Sequence, residues 1–475
     1  MEVNNQTNKS REEKLFTNSL IIAIGTVLPR LASFITLPIV TSGLTKEEYG
    51  TYDLILVLVS LLLPAVTLQI HVAAFRFIID LKDNSEEIIK IVSSIYAVII
   101  PLSLIALLIL FMVMTEIESS KKILICIYLL IDIIVVSLQW IIRSLGKNFH
   151  YSVSAITNSI TRMILCILFI SIFHYGLNGV LISQIISNFI TLFYLLYVGK
   201  ILQYIDVKSI SFEKAKLMIS YSWPLVPNDL SMWVIRVSDR LLITSFMGVS
   251  VNAVYAVANK IPQLLSIFQG VFTKAWQESA SLSSNDQDVD IYYSSMFSFI
   301  FNFVSGGMGV LIAMTPIIFK LLIRGDYAEA YYQMPILFLA MFFNSITAFI
   351  GGVYVACKST KSIAITTFFA AVSNIVINLA LIKQFGLYAA SISTLISYAF
   401  LAVYRMIDIR KLVKITYDIK HMIIVIIIII FELLLCFFKR PILDIINVII
   451  GIYLFLFLNK NYLKILMQKI KRKIS

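Results

Sequence analysis

Residues 221–248 read YSWPLVPNDLSMWVIRVSDRLLITSFMG. This run is long enough to cross a bilayer, for which about twenty residues suffice, yet it carries two acids and two arginines. A charge at the bilayer centre costs roughly 2.5–3.5 kcal/mol on insertion scales, so such residues are tolerated where they face protein or water. On a helix, Asp229, Arg236 and Arg240 fall within about 40° of one another, because seven residues nearly complete two turns. Trp233 borders that arc, and Asn228, Ser231 and Asp239 form an adjoining one. One side of this helix must therefore meet water, ligand or polar protein. The acids can pair internally with the arginines, or the arginines can keep donors free for an anion. Both can hold, since two acids can orient two arginines.

The rest of the chain explains why this segment sits in a membrane. Of 475 residues, 59% are hydrophobic and only 14% charged, and the mean hydropathy is +0.90. A soluble domain holds about a quarter charged residues. The predicted fold class is an all-α polytopic membrane protein of about 14 transmembrane helices. The spans are Leu15–Val40, Tyr52–Ile79, Ile88–Met114, Ile123–Ile142, Val153–Phe173, Leu177–Gly199, Leu217–Met247, Val251–Phe272, Tyr292–Phe319, Tyr332–Cys357, Ile363–Ile382, Leu387–Tyr404, Met422–Phe438 and Pro441–Leu458. A β-barrel would need alternating segments of about ten residues, whereas these runs are continuous. The first run is too long for a leader core and reads as a retained helix.

Net charge is +12. In a soluble protein that would raise nucleic acid as a partner, but here most of the charge lies in loops and tails, and no aromatic-plus-basic RNA-binding pattern stands out. With the N-terminus inside, 25 of the 39 basic residues fall on the inner side and 8 on the outer. This bias places both termini in the cytoplasm. The four cysteines form no metal-binding spacing, no metal or cofactor is expected, and no Walker A sequence exists. Outer loops reach about a dozen residues at most, which leaves no room for a soluble catalytic domain. The acidic run Asp286–Asp290 reads as solvated loop.

The chain looks duplicated. LTKEEYGTYDLILVLVSLL (44–62) and MGVSVNAVYAVANKIPQLL (247–265) each place a tyrosine, Tyr52 and Tyr255, just after a short outer turn. The longer linker Lys200–Lys216 falls between the halves. Parallel repeats of six spans would then occupy 1–200 and 201–410, with 411–475 adding two helices and a basic tail. In such folds substrate sites lie between the repeats.

Other spans carry polar stripes. Asp53, Ser60, Pro64, Thr67 and His71 align in the second, with Gln69 and Arg76 on another face. Asn259, Gln263 and Ser266 align in the eighth, with Lys260 at the edge. Arg30, Arg162, Arg236, Arg240 and Lys260 fall between mid-membrane and the outer half, and Arg76 nearer the cytoplasm. Cations at one depth in several helices suggest one cavity, and their donors suit phosphate oxygens. Arg30 and Arg162 can instead bind backbone carbonyls, and Asn and Thr stripes serve equally as interhelical glue. Asp132 and Glu432 stand apart from the cations, as proton or Na⁺ sites or as hydrogen-bonded acids.

WPLVPNDLSMWVIRVSDRLLI (Trp223–Ile243), VYAVANKIPQLLSIFQGVFTKAWQESA (Val254–Ala280) and PRLASFITLPIVTSGLTKEEYGTYDL (Pro29–Leu54) resemble bacterial oligosaccharide flippases of the polysaccharide-transporter family, within the multidrug/oligosaccharidyl-lipid/polysaccharide exporter superfamily. The resemblance covers most of residues 15–410. It implies two six-helix bundles in a V shape, alternating access, and no enzymatic activity. The implied cargo is an undecaprenyl-diphosphate-linked oligosaccharide for capsule, O-antigen or exopolysaccharide, moved outward across a bacterial cell membrane. The family's cationic cavity would match Arg236, Arg240 and Lys260, with Arg30 and Arg76 by position. Asp53, Asn228, Asp229, Trp233, Asp239, Asn259 and Gln263 would line it, with Asp132 and Glu432 as ion-coupling candidates. Implied partners are membrane lipids, a polysaccharide polymerase and chain-length proteins. The two extra helices look like those that shape a lipid-tail groove in the lipid II flippase. A multidrug cation exporter of the same fold and a membrane polymerase remain as alternatives.

Overall fold

A computed structural model describes the backbone of all residues except Met1, Asp80, Lys82, Asp83, Glu116, Pro224, Asn285, Lys358 and Ser475. Outside the described side chains are those of residues 2–20, 22, 23, 79, 225, 228, 231, 232, 234–236, 264–268, 271, 274, 275, 278, 360, 461, 462 and 465–474.

Seventeen α-helices follow in order among the described residues. They are α1 (Glu2–Gly43), α2 (Lys46–Thr67), α3 (Ile70–Ile79), α4 (Ser85–Val113), α5 (Ser119–Ser144), α6 (Asn148–Cys166), α7 (Gly176–Gly199), α8 (Phe212–Ser222) and α9 (Leu225–Met247). Then come α10 (Val249–Leu282), α11 (Val289–Ala313), α12 (Thr315–Leu322), α13 (Ala330–Ala356), α14 (Thr360–Phe385), α15 (Leu387–Asp408), α16 (Ile419–Phe437) and α17 (Pro441–Ile474). Twelve helices of the described residues are long and apolar enough to cross a membrane. The remaining two expected spans fall on α9 and α10, whose side chains are described only in part. The chain is a multi-pass, all-helical membrane protein.

Local chemistry sets the helix ends. Thr45 and Glu48 form a reciprocal capping box at the start of α2: Thr45 Oγ1 accepts from the Glu48 amide at 3.2 Å, and Glu48 Oε2 accepts from the Thr45 amide at 3.0 Å. This satisfies donors that a helix start leaves without intrahelical partners. Glu48 Oε1 also accepts from the Leu177 amide at 3.1 Å, fastening the start of α2 to that of α7. Gly248, at φ +91°, makes the one-residue turn from α9 to α10, a conformation that a Cβ would strain.

Three expected spans are broken. The second is not one helix: Leu68 and Gln69 take positive φ of 48° and 57° and separate α2 from α3. The Gln69 amide donates to Thr67 Oγ1 at 3.3 Å, and Ser222 Oγ donates to the Leu68 carbonyl at 2.7 Å, so polar groups freed by the break find partners. The seventh divides into α8, which ends at Ser222, and α9, which starts at Leu225; the proline between them in the sequence has no amide hydrogen to continue the ladder. The ninth turns at Met314, where α11 gives way to α12 with a proline in its first turn.

The chain forms two compact units, Met1–Arg236 and Val237–Ser475, dividing inside α9. In the first, α5 and α6 both pack on α7, and α6 packs on α1. In the second, α13 and α14 both pack on α15, α10 packs on α13, and α11 carries α16 and α17. The buried face of α13 is almost wholly apolar and forms the centre of the second unit. Trp276 of α10 stacks on its Phe349 with centroids 4.5 Å apart and donates to the Phe349 carbonyl at 2.8 Å.

Candidate functional site

Within the first unit, the stripes of the second and seventh spans meet. Trp233 donates from Nε1 to Ser60 Oγ at 3.0 Å and to the Val57 carbonyl at 3.2 Å. Gln69 donates from Nε2 to Asp229 Oδ2 at 2.6 Å. The left-handed Gln69 is therefore used twice, ending the helix through its backbone and reaching Asp229 through its amide. Asp53 is buried, while Arg30 and Arg76 are exposed. The side chains of Asn228 and Arg236, both expected in the cavity, lie outside the described residues.

A second polar cluster of this unit joins α2, α5, α6 and α7. Arg162 Nη1 donates to Gln184 Oε1 at 3.2 Å, and Gln184 Nε2 donates to Tyr52 Oη at 3.1 Å. Asn188 donates to Asp132 Oδ1 at 3.1 Å, and Asn158 donates to Asn188 Oδ1 at 2.8 Å and Thr191 Oγ1 at 3.0 Å. Among the described residues no carboxylate lies within salt-bridge distance of Arg162. A guanidinium has five N–H donors, and the bond to Gln184 occupies one. Arg162 is held by a side-chain amide, not by the backbone carbonyls that the sequence offered as its alternative partner. Gln184, which orients it, carried no signal of its own in the sequence.

In the second unit Asp239 is 7% exposed and accepts from three neutral donors on three helices. They are Tyr255 Oη of α10 at 3.0 Å, Thr394 Oγ1 of α15 at 2.7 Å and Asn378 Nδ2 of α14 at 2.9 Å. With its amide turned so that the NH₂ faces the carboxylate, Asn374 adds a fourth donor at 3.0 Å. Sequence periodicity grouped Asp239 with cavity-lining residues; the structure gives it this buried interhelical setting. Arg240 is also buried, at 8% exposure, and Lys260, Asn259 and Gln263 are half-buried. These neutral donors satisfy the carboxylate oxygens and tie α9 to α10, α14 and α15. Among the described residues no cluster of three His, Cys, Asp or Glu side chains could hold a metal.

Glu432 lies elsewhere in this unit. It is fully buried on α16, between Gly309 of α11 and Gly451 of α17. Neither carboxyl oxygen has a hydrogen-bond partner among the described residues. Asn447 of α17 donates to its backbone carbonyl at 3.0 Å.

Residues 15–277, more than half of the chain, match the family model described as "Polysaccharide biosynthesis protein". The chain belongs to this family. No curated protein sequence matches it significantly. Solved structures of similar fold include the lipid II flippase MurJ in an inward closed conformation, with TM-score 0.66 and 18% identity over 94% of this chain and 100% of that one. An inward-facing multidrug resistance MATE transporter of the MOP superfamily gives 0.65 and 13% over 82% and 97%. A MOP superfamily transporter from Pyrococcus furiosus gives 0.55 and 15% over 82% and 94%. At these identities the likeness is one of fold: the chain has the architecture shared by a flippase and by transporters of this superfamily. The family places that architecture in polysaccharide biosynthesis.

Proposed function

We propose that the protein flips polyprenyl-diphosphate-linked oligosaccharide repeat units from the cytoplasmic to the outer leaflet of a bacterial cell membrane, supplying capsule, O-antigen or exopolysaccharide synthesis. The observation that carries this reading is Arg162: a membrane-embedded guanidinium that donates to Gln184, itself held by Tyr52, with no described carboxylate within salt-bridge distance. A fixed cation with open donors inside a membrane protein is costly unless an anion or water comes to it. Diphosphate matches a guanidinium in geometry and charge. Arg240, Lys260, Arg236, Arg30 and Arg76 are the further cationic positions of the pathway. Asp53, Asn228, Asp229, Trp233, Asn259 and Gln263 offer hydrogen bonds and an indole face to sugars. The prenyl tail would stay in lipid while the headgroup crosses.

Coupling is assigned to the intramembrane acids. Asp239 and Asp132, each engaged by neutral donors, are the groups that would gain and lose a proton or a small cation. Of the two coupling candidates that the sequence offered, Asp132 and Glu432, Glu432 has no such donors among the described residues and is the weaker choice; Asp239 joins Asp132 on its donors alone. A polymerase and chain-length proteins would act on the product at the outer face.

The test is reconstitution in proteoliposomes with a polyprenyl-diphosphate oligosaccharide whose sugar is read by lectin access. Wild-type protein should move the sugar across, Arg162→Ala should abolish the movement, and Arg162→Lys should restore part of it. Equal transport by wild type and Arg162→Ala would refute the role of Arg162. Extrusion of cationic dyes without sugar movement would favour the multidrug exporter.

A further inference from the structure

The linker between α7 and α9 is fixed in place yet turns large apolar side chains outward. Residues 200–211 make two short helical turns before α8. Adjacent serines of α4 pin them. Ser93 Oγ accepts from the Asp206 amide at 2.9 Å, and Ser94 Oγ accepts from the Ser211 amide at 2.9 Å. Lys214 pairs with Glu87 at 2.7 Å. The inner side of the segment is packed, with Ile201, Ala215 and Met218 buried. Its other side shows Leu202 at 70% exposure, Val207 at 79% and Phe212 at 83%. A water-facing linker held this firmly would lose little by presenting polar residues there.

Two observations identify what covers this side. It follows directly in sequence from α7, where Phe193 and Tyr197 are 66% and 86% exposed on a helix apolar enough to span, so that they face acyl chains. It also carries the exposed lysines Lys200, Lys208 and Lys216 beside the apolar residues. Apolar side chains interleaved with lysines at the end of a spanning helix suit the headgroup–acyl boundary of a membrane holding anionic lipid. Lysine stems can lie along the apolar layer while their ammonium groups reach the headgroups.

We propose that residues 200–216 form an interfacial anchor, with Leu202, Val207 and Phe212 inserted below the headgroups and Lys200, Lys208 and Lys216 held against anionic lipid phosphates. Through Ser93, Ser94 and Glu87 this anchor ties the first turns of α4 to the membrane surface. The contact needs lipid alone, independently of any cargo.

The test is depth measurement on the full-length protein in phosphatidylcholine nanodiscs with and without phosphatidylglycerol. Single spin labels are placed by Leu202→Cys, Phe212→Cys and, as a control, Glu213→Cys, after the four native cysteines are changed to alanine. Labels at 202 and 212 should be more accessible to oxygen than to a water-soluble nickel complex, and the label at 213 should show the reverse. Phosphatidylglycerol should move 202 and 212 deeper, and Lys208→Gln with Lys216→Gln should cancel that shift. Nickel access at 202 and 212 equal to that at 213 would overturn the anchor. Shielding from both reagents would also overturn it, because the face would then be covered by protein. An unchanged depth on adding phosphatidylglycerol would overturn the lysine contribution. If the cysteine-free protein does not fold, Phe212→Trp in the parent chain replaces the labels: brominated phosphatidylcholine should quench the added fluorescence, and absence of quenching overturns the proposal.

Discussion

Replacing Asp239 separates a structural role from a coupling role. Asp239→Ala removes the shared acceptor of Tyr255, Thr394 and Asn378 and leaves three buried donors on α10, α15 and α14 without it. Interhelical hydrogen bonds within membranes contribute about 0.6 kcal/mol on average and up to about 1.7. Three such bonds therefore amount to about 2–5 kcal/mol, before any repacking. Asp239→Asn should cost far less. Tyr255 and Thr394 both donate to Oδ2, so an amide oxygen in that place keeps both bonds. The new NH₂ would face the amides of Asn378 and Asn374, each of which can turn its oxygen toward it, and the Oδ1 of Asn378 has no partner to give up among the described residues. The expected loss is under about 1 kcal/mol. Equilibrium unfolding in mixed micelles, followed by tryptophan fluorescence, measures both values, and the proteoliposome assay measures transport under imposed proton or Na⁺ gradients. The Asn variant should fold and lose gradient-driven transport. An Ala variant within 1 kcal/mol of wild type would refute the hydrogen-bond accounting. A fully gradient-driven Asn variant would remove Asp239 from coupling.

Gly309→Ala places a methyl group 2.7 Å from Glu432 Oε2 and 3.2 Å from Leu454. Overpacking of this kind costs about 1–3 kcal/mol and should loosen α16 and α17, read as faster proteolysis of the C-terminal helices. Glu48→Ala removes the capping box of α2 and its bond to the Leu177 amide; a loss of about 1–2 kcal/mol is expected in the same unfolding assay. In the linker, the Ser209 hydroxyl and Lys208 amide hold Asp206 below the usual carboxylate range. Its contribution to the turn is complete above the unfolded aspartate value near 4 and fades as pH falls through the folded value. Amide exchange of residues 204–211, corrected for intrinsic rates, should therefore accelerate on acidification, and Asp206→Asn should remove that dependence.

The sequence disclosed the helices and the faces that carry polar groups, because both follow from composition and a 3.6-residue period. It did not disclose partners, since periodicity is silent about which other helix a face meets. Asp132 shows the difference. Gln139, seven residues on, lies on its stripe, yet Gln139 donates to Ser154 at 3.2 Å while Asp132 takes its bond from Asn188 of α7. The break at Leu68–Gln69 was illegible for another reason. Neither residue favours a left-handed conformation, and the only proline nearby is Pro64, inside α2. The turn is stabilised from outside, by Ser222 of α8 and by the bond from Gln69 to Asp229. The break in the seventh span was marked by Pro224, which the long apolar run concealed.

The two units place an acid against corresponding helix pairs but do so differently. In the first, Asp132 of α5 is tied through Asn188 of α7 to Asn158 of α6, one turn before Arg162. In the second, Asp239 of α9 meets Asn378 of α14 and Thr394 of α15, with Arg240 next in sequence. An internal duplication would account for the repeated packing of α6 on α7 and of α14 on α15. It does not by itself account for acids arriving from different helices. That asymmetry fits a division of labour. Asp239 accepts from three helices at once and would transmit a change in its charge to all three. Asp132 accepts one described side-chain bond, in a cluster that also holds Arg162 through Gln184 and Tyr52. A bound proton or cation at Asp239 would therefore act mainly on helix packing, and one at Asp132 mainly on the field at the Arg162 guanidinium. Neutralising Asp132 should accordingly shift substrate affinity with little change in unfolding free energy, the inverse of the pattern expected for Asp239→Ala. Equal effects of the two substitutions on both readouts would contradict this division.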